Sequence, residues 1–214
     1  DQIIFNLELE GGKTLIATED MPSFEDNIWT LFQHNSGISK FSGTQVPKML
    51  AGKSISVNPY ISRDTHGVSG QSTPKDFETA LQLVYLYFAD PRFDADEYNT
   101  GIQQIKAILP NIAKDPGFQF QNAMNKILYS NNPRVVELNE ETLAKADLAT
   151  IEKVYRQLFK DAAGATLRIV GNVDVEAIKP LIEKYIGSIA KGKKATKINQ
   201  DNVIRFAKGQ VNEV

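Results

Sequence analysis

The sequence predicts a two-layer α+β sandwich, in which a mostly antiparallel sheet packs against helices on one of its faces. Apolar residues recur at short spacing in residues 3–9 before a Glu-Gly-Gly turn, as in a strand. Further on, Ile55, Val57 and Ile61 alternate with polar residues. Repeated N-cap signals in the middle of the chain predict several helices. The order strand, helix, hairpin, several helices, strand, helix suits this architecture.

The alternating segment, residues 53–61, has the period of a strand with one buried face. Pro59 cannot donate a backbone hydrogen bond, so it places this strand at a sheet edge or at a bulge. The polar residues 62–67 predict a hairpin connection into a strand over residues 68–72, and we therefore expect antiparallel pairing. Two more strands are predicted, over residues 165–170 and near residues 203–206.

Six helices are predicted from capping residues followed by apolar residues at helical spacing. Their N-terminal signals are Ser23 with Asp26, Thr73 with Pro74, Asp94, Asp115 with Pro116, Asp147, and Asp174. The first should end near Gly37 and the third at Pro110. Pro180 lies inside the last helix, where it predicts a kink or a late start.

Length and composition favour one large domain. The chain has 214 residues, of which 42% are hydrophobic, enough to bury a core. We expect residues 1–190 to form a single α+β domain. Residues 191–214 begin with a basic, glycine-containing stretch, which predicts a linker followed by a C-terminal strand or tail.

Charge and hydropathy argue against two classes of partner. The formal net charge of -2 provides no bulk attraction for nucleic acid or an anionic membrane. No apolar stretch approaches the roughly 18 to 20 residues that a membrane span needs. We therefore expect no nucleic-acid partner and no membrane contact. The compartment stays open between periplasm and cytoplasm, and the start at Asp1 suggests a processed or excised piece.

No catalytic residue or metal ligand is predicted in this chain. It contains no cysteine, which excludes disulfides, thiolate zinc sites and cysteine nucleophiles. Its two histidines, His34 at a helix end and His66 in the predicted hairpin turn, are interpreted as structural or solvated residues. The paired-ligand spacings H-x-x-x-H and H-x-x-E-H are absent, and no G-x-S-x-G elbow is found.

Several short segments in a fixed order resemble the insulinase/pitrilysin (inverzincin) family of zinc metallopeptidases. The segments are residues 36–42 (SGISKFS), 50–57 (LAGKSISV), 67–72 (GVSGQS), 85–88 (YLYF), 91–94 (PRFD) and 169–174 (IVGNVD). Together the resemblance spans about residues 3–189. Members of this family are built from paired homologous half-units that enclose a peptide-degrading chamber, and the match lies in the later, non-catalytic half-unit.

The resemblance implies that the catalytic zinc lies elsewhere. In the catalytic half of the family, an H-x-x-E-H helix provides two zinc ligands and the general base, and a glutamate from a later helix completes the ligands. Here the corresponding helix, residues 27–34, reads NIWTLFQH, and the later helix has Gly101, Ile102, Gln103 and Gln104. We therefore expect no cofactor in this chain, and zinc in a partner half-unit of the same parent chain or of a separate subunit.

The resemblance also implies a region that contacts a peptide substrate. Some members steady the substrate with an arginine and a tyrosine seven residues apart. This pair is not found here, and the matching stretch, residues 46–53, offers two possible cations instead, Lys48 and Lys53. The segment from Gly52 to Gly70 corresponds to a region that lies toward the chamber. Within it, Lys53, Tyr60 and Arg63 offer two cations and a hydroxyl to peptide carbonyls or a carboxylate terminus.

Three functions stay open at this level. The first is a non-catalytic half-unit that closes the chamber and contacts substrate, so that the chain is inactive alone. The second is a purely structural relative, like the core subunits of respiratory complexes that keep the fold without proteolysis. The third is an independent hydrolase with an unrecognised site. Activity of the isolated chain would require the third.

Overall fold

The computed structural model describes residues 2–209 and shows an α+β protein built on a four-stranded antiparallel sheet. The strand order is β2-β3-β1-β4, and each neighbouring pair is antiparallel. The strands are β1 Ile3–Glu10, β2 Ile55–Ile61, β3 Thr65–Ser72 and β4 Thr166–Gly171. The predicted hairpin is confirmed, and β2, which contains Pro59, is an edge strand as predicted.

Eight α-helices accompany the sheet in residues 2–209, and none of them has the length and apolar character needed to cross a membrane. They are α1 Asp26–Asn35, α2 Gln45–Met49, α3 Phe77–Ala89, α4 Ala95–Ile112, α5 Pro116–Leu128, α6 Glu140–Lys145, α7 Leu148–Leu158 and α8 Val175–Tyr185. Short 3₁₀ turns lie at Gly12–Leu15, Thr18–Phe24, Pro74–Asp76 and Gln200–Asn202.

The core lies between one face of the sheet and the helices. In β1, alternate residues from Ile3 to Leu9 are buried, whereas Ile4 and Glu10 on the other face are exposed. Phe5 meets Phe77 of α3 edge to face, with ring centroids 5.9 Å apart. The opposite face of the sheet carries mainly polar side chains.

Helix α1 has a different N-cap residue from the one predicted, Glu25 in place of Ser23. The side chain of Glu25 caps α1 by accepting hydrogen bonds from the backbone N–H groups of Asn27 and Ile28. Ser23 does not cap it, because it lies within the 3₁₀ turn Thr18–Phe24 and its hydroxyl accepts from Asp147 N instead.

The prolines also interrupt helices less than predicted. The segment Pro74–Asp76 forms a 3₁₀ turn before α3. Helix α4 continues past Pro110 to Ile112, and α8 begins at Val175, so the late start at Pro180 was wrong. In α8, Asp174 caps the N-terminus as predicted, and this capping holds the first turn ahead of the proline. The short helices α2 and α6 were not predicted.

Residues 203–206 form no strand, which corrects the predicted last element. The chain between residues 196 and 207, called here the C-terminal strap, is instead tied across the molecule. Thr196 Oγ1 donates to Glu10 O at 2.6 Å, Asn202 Nδ2 donates to Thr14 O at 2.7 Å, and Ala207 N donates to Leu128 O at 2.6 Å. These three bonds go to the end of β1, to the first 3₁₀ turn and to the end of α5. The strap therefore does not run alongside a single strand. The last part of the predicted tail, residues 210–214, lies outside the described residues.

Candidate substrate-contact site

His66 lies inside the protein, although the sequence had placed it in the hairpin turn. It belongs to β3 and is 0% exposed. Its Nδ1 accepts from Gly12 N at 3.3 Å, and its Nε2 donates to Leu158 O at 3.0 Å. Burial lowers the pKa of His66 to about 4, so the ring is neutral near pH 7. His66 is thus a structural residue, whereas His34 is exposed in the last turn of α1, as predicted.

Helices α1 and α4, where the family resemblance would place the zinc ligands, pack directly against each other. The buried Gly101 of α4 faces Leu31 of α1, and a Cβ at position 101 would lie 2.7 Å from Leu31 Cγ. Across residues 2–209, no group of three or more His, Cys, Asp or Glu side chains comes close enough to hold a metal ion. An apolar contact therefore occupies this position, and the absence of zinc from this chain stays a prediction.

Lys53, the first predicted substrate contact, forms an ion pair with Asp76 in the 3₁₀ turn before α3. Its Nζ lies 3.6 Å from Asp76 Oδ1. Asp76 also accepts from Ser54 N at 3.1 Å and from Thr73 Oγ1 at 2.9 Å, and these two hydrogen bonds hold the pKa of Asp76 below its usual value. Lys53 thus helps to connect the entry to β2 with the turn before α3.

Tyr60, the second predicted contact, lies on the polar face of the sheet. It is opposite Gly67 in the register of β2 and β3, and Gly67 is opposite Glu8 of β1. Burial raises the pKa of the Tyr60 phenol, and the hydroxyl oxygen itself is buried, so it does not face solvent. On the same face, Glu8 forms an ion pair with Arg168 of β4 at 2.8 Å.

Arg63, the third predicted contact, lies in the β2–β3 turn and faces the end of α5. Its Nη2 donates to Tyr129 Oη at 3.3 Å, and its guanidinium carbon lies 5.8 Å from the centre of the Tyr129 ring. Both residues line a cleft of about 420 Å³, called here the Tyr129 cleft. Its polar lining includes Lys13, Glu25, Arg63, Tyr129, Arg134 and Asn202.

Arg134 also lines the Tyr129 cleft and is 6% exposed. Its Nη1 donates to Ile16 O at 3.0 Å, and its Nη2 donates to Lys13 O at 2.6 Å. These acceptors are neutral, so the charge of Arg134 is not balanced by them. On the cleft wall, Glu25 is also buried, and burial raises its pKa against the opposing effect of its N-cap hydrogen bonds.

The structure brings together only some of the predicted contact residues. Tyr60 and Arg63 are near each other at one end of β2, whereas Lys53 precedes its other end, roughly 20 Å away at the usual rise per residue of a strand. Tyr129 and Arg134 were not predicted. The only local signal was the Asn-Asn-Pro sequence that marks a turn after α5, because Arg134 and its acceptor Ile16 are 118 residues apart.

Comparison with known proteins agrees with the family resemblance. No family model matches the chain. A zinc protease PQQL-like of Arabidopsis thaliana is 31% identical over 117 residues, which cover 54% of this chain and 12% of that protein. The probable zinc protease PqqL of Haemophilus influenzae is 22% identical over 189 residues, 88% of this chain and 20% of the relative.

This chain is thus similar in sequence to parts of zinc proteases of the PqqL type. The chain spans a fifth or less of the length of these PqqL-type relatives. The activity and substrates of the full-length relatives can therefore only be proposed for this chain.

Solved structures of several proteases share the fold. The periplasmic protease PqqL from Escherichia coli superposes with a TM-score of 0.73 at 19% identity, over 96% of this chain and 22% of PqqL. The first half of the same protease gives a TM-score of 0.67 at 16% identity, over 92% of this chain and 43% of that structure. The ferredoxin protease FusC, solved in complex with Arabidopsis ferredoxin, gives 0.69 at 14% identity, over 95% and 22%. The α+β architecture is thus that of one part of a PqqL-type protease.

Proposed function

We propose that this chain is a non-catalytic half-unit of a zinc-dependent peptidase, in which it closes the chamber and contacts the peptide substrate. The catalytic zinc would be held by a partner half-unit that carries H-x-x-E-H, either in the same parent chain or in a separate subunit. The relation to PqqL-type proteases supports the peptidase class. The match to a fifth or less of the relatives is consistent with one part of a larger enzyme.

The observation that carries the non-catalytic assignment is the contact between α1 and α4. A peptidase of this class needs two histidines and a glutamate base on the first helix, and a further carboxylate on the second. In this chain Leu31 and Gly101 meet there instead. This close apolar contact, at the place where ligands would be expected, supports a non-catalytic role for the two helices.

The hairpin side of the protein is the proposed contact surface for peptide. Arg63 is exposed at the mouth of a cleft, whereas the hydroxyl oxygen of Tyr60, three residues away, is buried, so Tyr60 is the weaker of the two proposed contacts. Lys53 stays a proposed contact at the other end of β2, although its ion pair with Asp76 competes with substrate for its charge. Charge-assisted hydrogen bonds to a peptide contribute about 1.5 to 3 kcal/mol each when shielded from water.

The test is to assay peptide cleavage by the purified chain, by a companion half-unit that carries H-x-x-E-H, and by the two combined. We expect no cleavage by this chain alone and chelator-sensitive cleavage when it joins the companion. Chelator-sensitive cleavage by the chain alone, after contaminants are excluded, would contradict the proposal. A companion whose activity does not depend on this chain would point to a purely structural relative.

Variants then test the contact surface in the combined enzyme. Arg63→Met should raise KM for peptide, with a smaller effect from Lys53→Met, because Lys53 is already ion-paired. Lys106→Met is a matched control, since Lys106 is exposed on α4, outside the hairpin. Unaltered KM and turnover in both hairpin variants, with thermal stability intact, would assign the hairpin to the scaffold.

A further inference from the structure

The arginines of this chain divide into two groups. Three of the six have a carboxylate partner at 2.5 to 2.8 Å: Arg92, Arg156 and Arg168. The other three have no carboxylate within ion-pair distance in residues 2–209: Arg63, Arg134 and Arg205. All three of these lie around one side chain, Tyr129.

Each unpaired arginine is placed by a different element. Arg63 is in the β2–β3 turn and donates to Tyr129 Oη. Arg134 is in the loop after α5 and lines the Tyr129 cleft. Arg205 is in the C-terminal strap and lines a second hollow that Tyr129 also borders. Its neighbour Phe206 stacks on the Tyr129 ring, with centroids 5.2 Å apart and an interplanar angle of 18°, which fixes the strap at this point.

The acidic groups near the cleft do not cancel these charges. Asp26 is engaged by Lys13 Nζ at 2.6 Å. The carboxylate of Glu25 is occupied by hydrogen bonds from Asn27 and Ile28. Asp201 is exposed at the rim of the second hollow. The exposed guanidiniums of Arg63 and Arg205 therefore remain available to a ligand.

Arg134 and Tyr129 contribute in different ways. The four Nη–H donors of Arg134 are directed at Ile16 O, Thr18 Oγ1, Lys13 O and Met21 Sδ. The fifth donor of Arg134, its Nε–H, is buried and has no hydrogen-bond partner in residues 2–209, and the charge of Arg134 attracts an anion through a medium of low dielectric constant. Tyr129 accepts from Arg63, so its own O–H is free to donate.

We propose that the Tyr129 cleft binds a carboxylate of the peptide, held by Arg63 and the Tyr129 hydroxyl and approached from the strap by Arg205. The planar guanidinium fork matches a carboxylate and forms two parallel charge-assisted hydrogen bonds. This inference rests on the proposed function, since it specifies which group of a peptide this chain recognises. The carboxylate is either the C-terminus of the peptide or an acidic side chain.

The experiment measures binding of matched peptides to the purified 214-residue chain by isothermal titration calorimetry. One peptide ends in a free carboxylate, a second has the same sequence with a C-terminal amide, and a third has the amide and an internal glutamate. We expect the free acid to bind about tenfold or more tightly than the amide, as loss of a charge-assisted hydrogen bond implies. Binding of the third peptide as tightly as the free acid would support the cleft and identify a side-chain carboxylate as the ligand.

Variants locate the binding. Arg63→Met and Arg205→Met should each weaken binding of the free-acid peptide and leave binding of the amide peptide unchanged. Arg168 pairs with Glu8 on the sheet face, so Arg168→Met should change the affinity for neither peptide. Equal binding of all three peptides, or binding of none, would overturn the carboxylate site. The proposed function would then still be decided separately by the combined peptidase assay. A loss in the Arg168→Met variant as large as in Arg63→Met would likewise place the binding outside the cleft. Thermal melts check that every variant is folded.

Discussion

At the scale of single residues, His66 shows how burial changes the chemistry of a side chain. In the sequence it stands between Thr65 and Gly67 in a polar segment, which favours a turn. In the structure its two ring nitrogens link Gly12 N with Leu158 O, and thus connect the first 3₁₀ turn to the end of α7 through β3. Its ring also meets Phe159 edge to face at 5.6 Å. These contacts require the neutral imidazole, with Nδ1 as acceptor and Nε2 as donor.

We predict that His66 makes the protein less stable in mild acid. Burial lowers the folded-state pKa to about 4, whereas the unfolded value is near 6.5. As the pH falls from about 6.5 toward 4, the unfolded chain binds a proton that the folded chain excludes. The free energy of unfolding should therefore fall by up to about 3 kcal/mol over this window, and His66 should add no further change below it. Urea denaturation at a series of pH values measures this.

The two histidines provide a matched comparison. His66→Gln should be less stable at pH 7, because it loses the hydrogen bonds of the ring, but it should lack the drop between pH 6.5 and 4.5. His34→Gln should keep that drop, since His34 is exposed. A drop of the same size in His66→Gln would assign the pH dependence to other groups.

At the scale of elements, two contacts determine how the helices meet. Gly101 lets α4 approach Leu31 of α1, and a tilted aromatic contact joins α1 to α7, with Trp29 and Tyr155 centroids 6.3 Å apart. The C-terminal strap adds a third kind of contact, because it crosses from the first 3₁₀ turn to the end of α5. The strap also positions Phe206 on Tyr129, and hence one side of the proposed carboxylate site.

We predict that Gly101→Ala destabilises the protein by about 1 to 3 kcal/mol, as overpacking of a tight core usually does. The added Cβ overlaps the end of the Leu31 side chain, which must shift or push α4 away. Gly117→Ala is the control, because Gly117 is an exposed glycine in the first turn of α5 and alanine is the better helix former. Urea denaturation should show a loss only at position 101. Equal stability of both variants would mean that α4 is not held closely against α1.

At the scale of the whole molecule, the metal content of the chain separates a non-catalytic unit from an independent enzyme. We predict that the purified chain holds no stoichiometric zinc, because a catalytic site needs three convergent protein ligands. His66 is engaged with the backbone, and His34 is exposed at the end of α1. Metal analysis after purification without chelator should find well below one zinc per chain, and added chelator should not lower the melting temperature.

The companion half-unit with H-x-x-E-H is the positive control and should retain about one zinc through the same purification. One tightly held zinc in the present chain would contradict the prediction. Its loss in His34→Gln or His66→Gln would then identify the ligand.

Local patterns predicted the elements because their causes act within a few residues. The alternation of apolar and polar residues predicted β2. The N-caps at Asp94, Asp115 and Asp147 were also predicted, and the side chains of these three residues do accept backbone hydrogen bonds. The predictions were wrong where a residue far away in the sequence forms the hydrogen bond that local structure would otherwise use. Ser23 bonds to Asp147 N instead of capping α1, and the strap bonds to Thr14 instead of forming a strand.

The sequence alone determined that no H-x-x-E-H helix exists here, since ligand types are a property of the covalent chain. Its patterns and ordered motifs predicted the α+β fold and the similarity to zinc proteases. The tertiary structure decided the environment of each side chain: Lys53 paired with Asp76, His66 buried, and Arg134 placed in the lining of the Tyr129 cleft. Arg134 Nη2 reaches Lys13 O across 121 residues of chain. Periodicity and capping carry no information over such separations, because only the packing of the finished fold brings those atoms together.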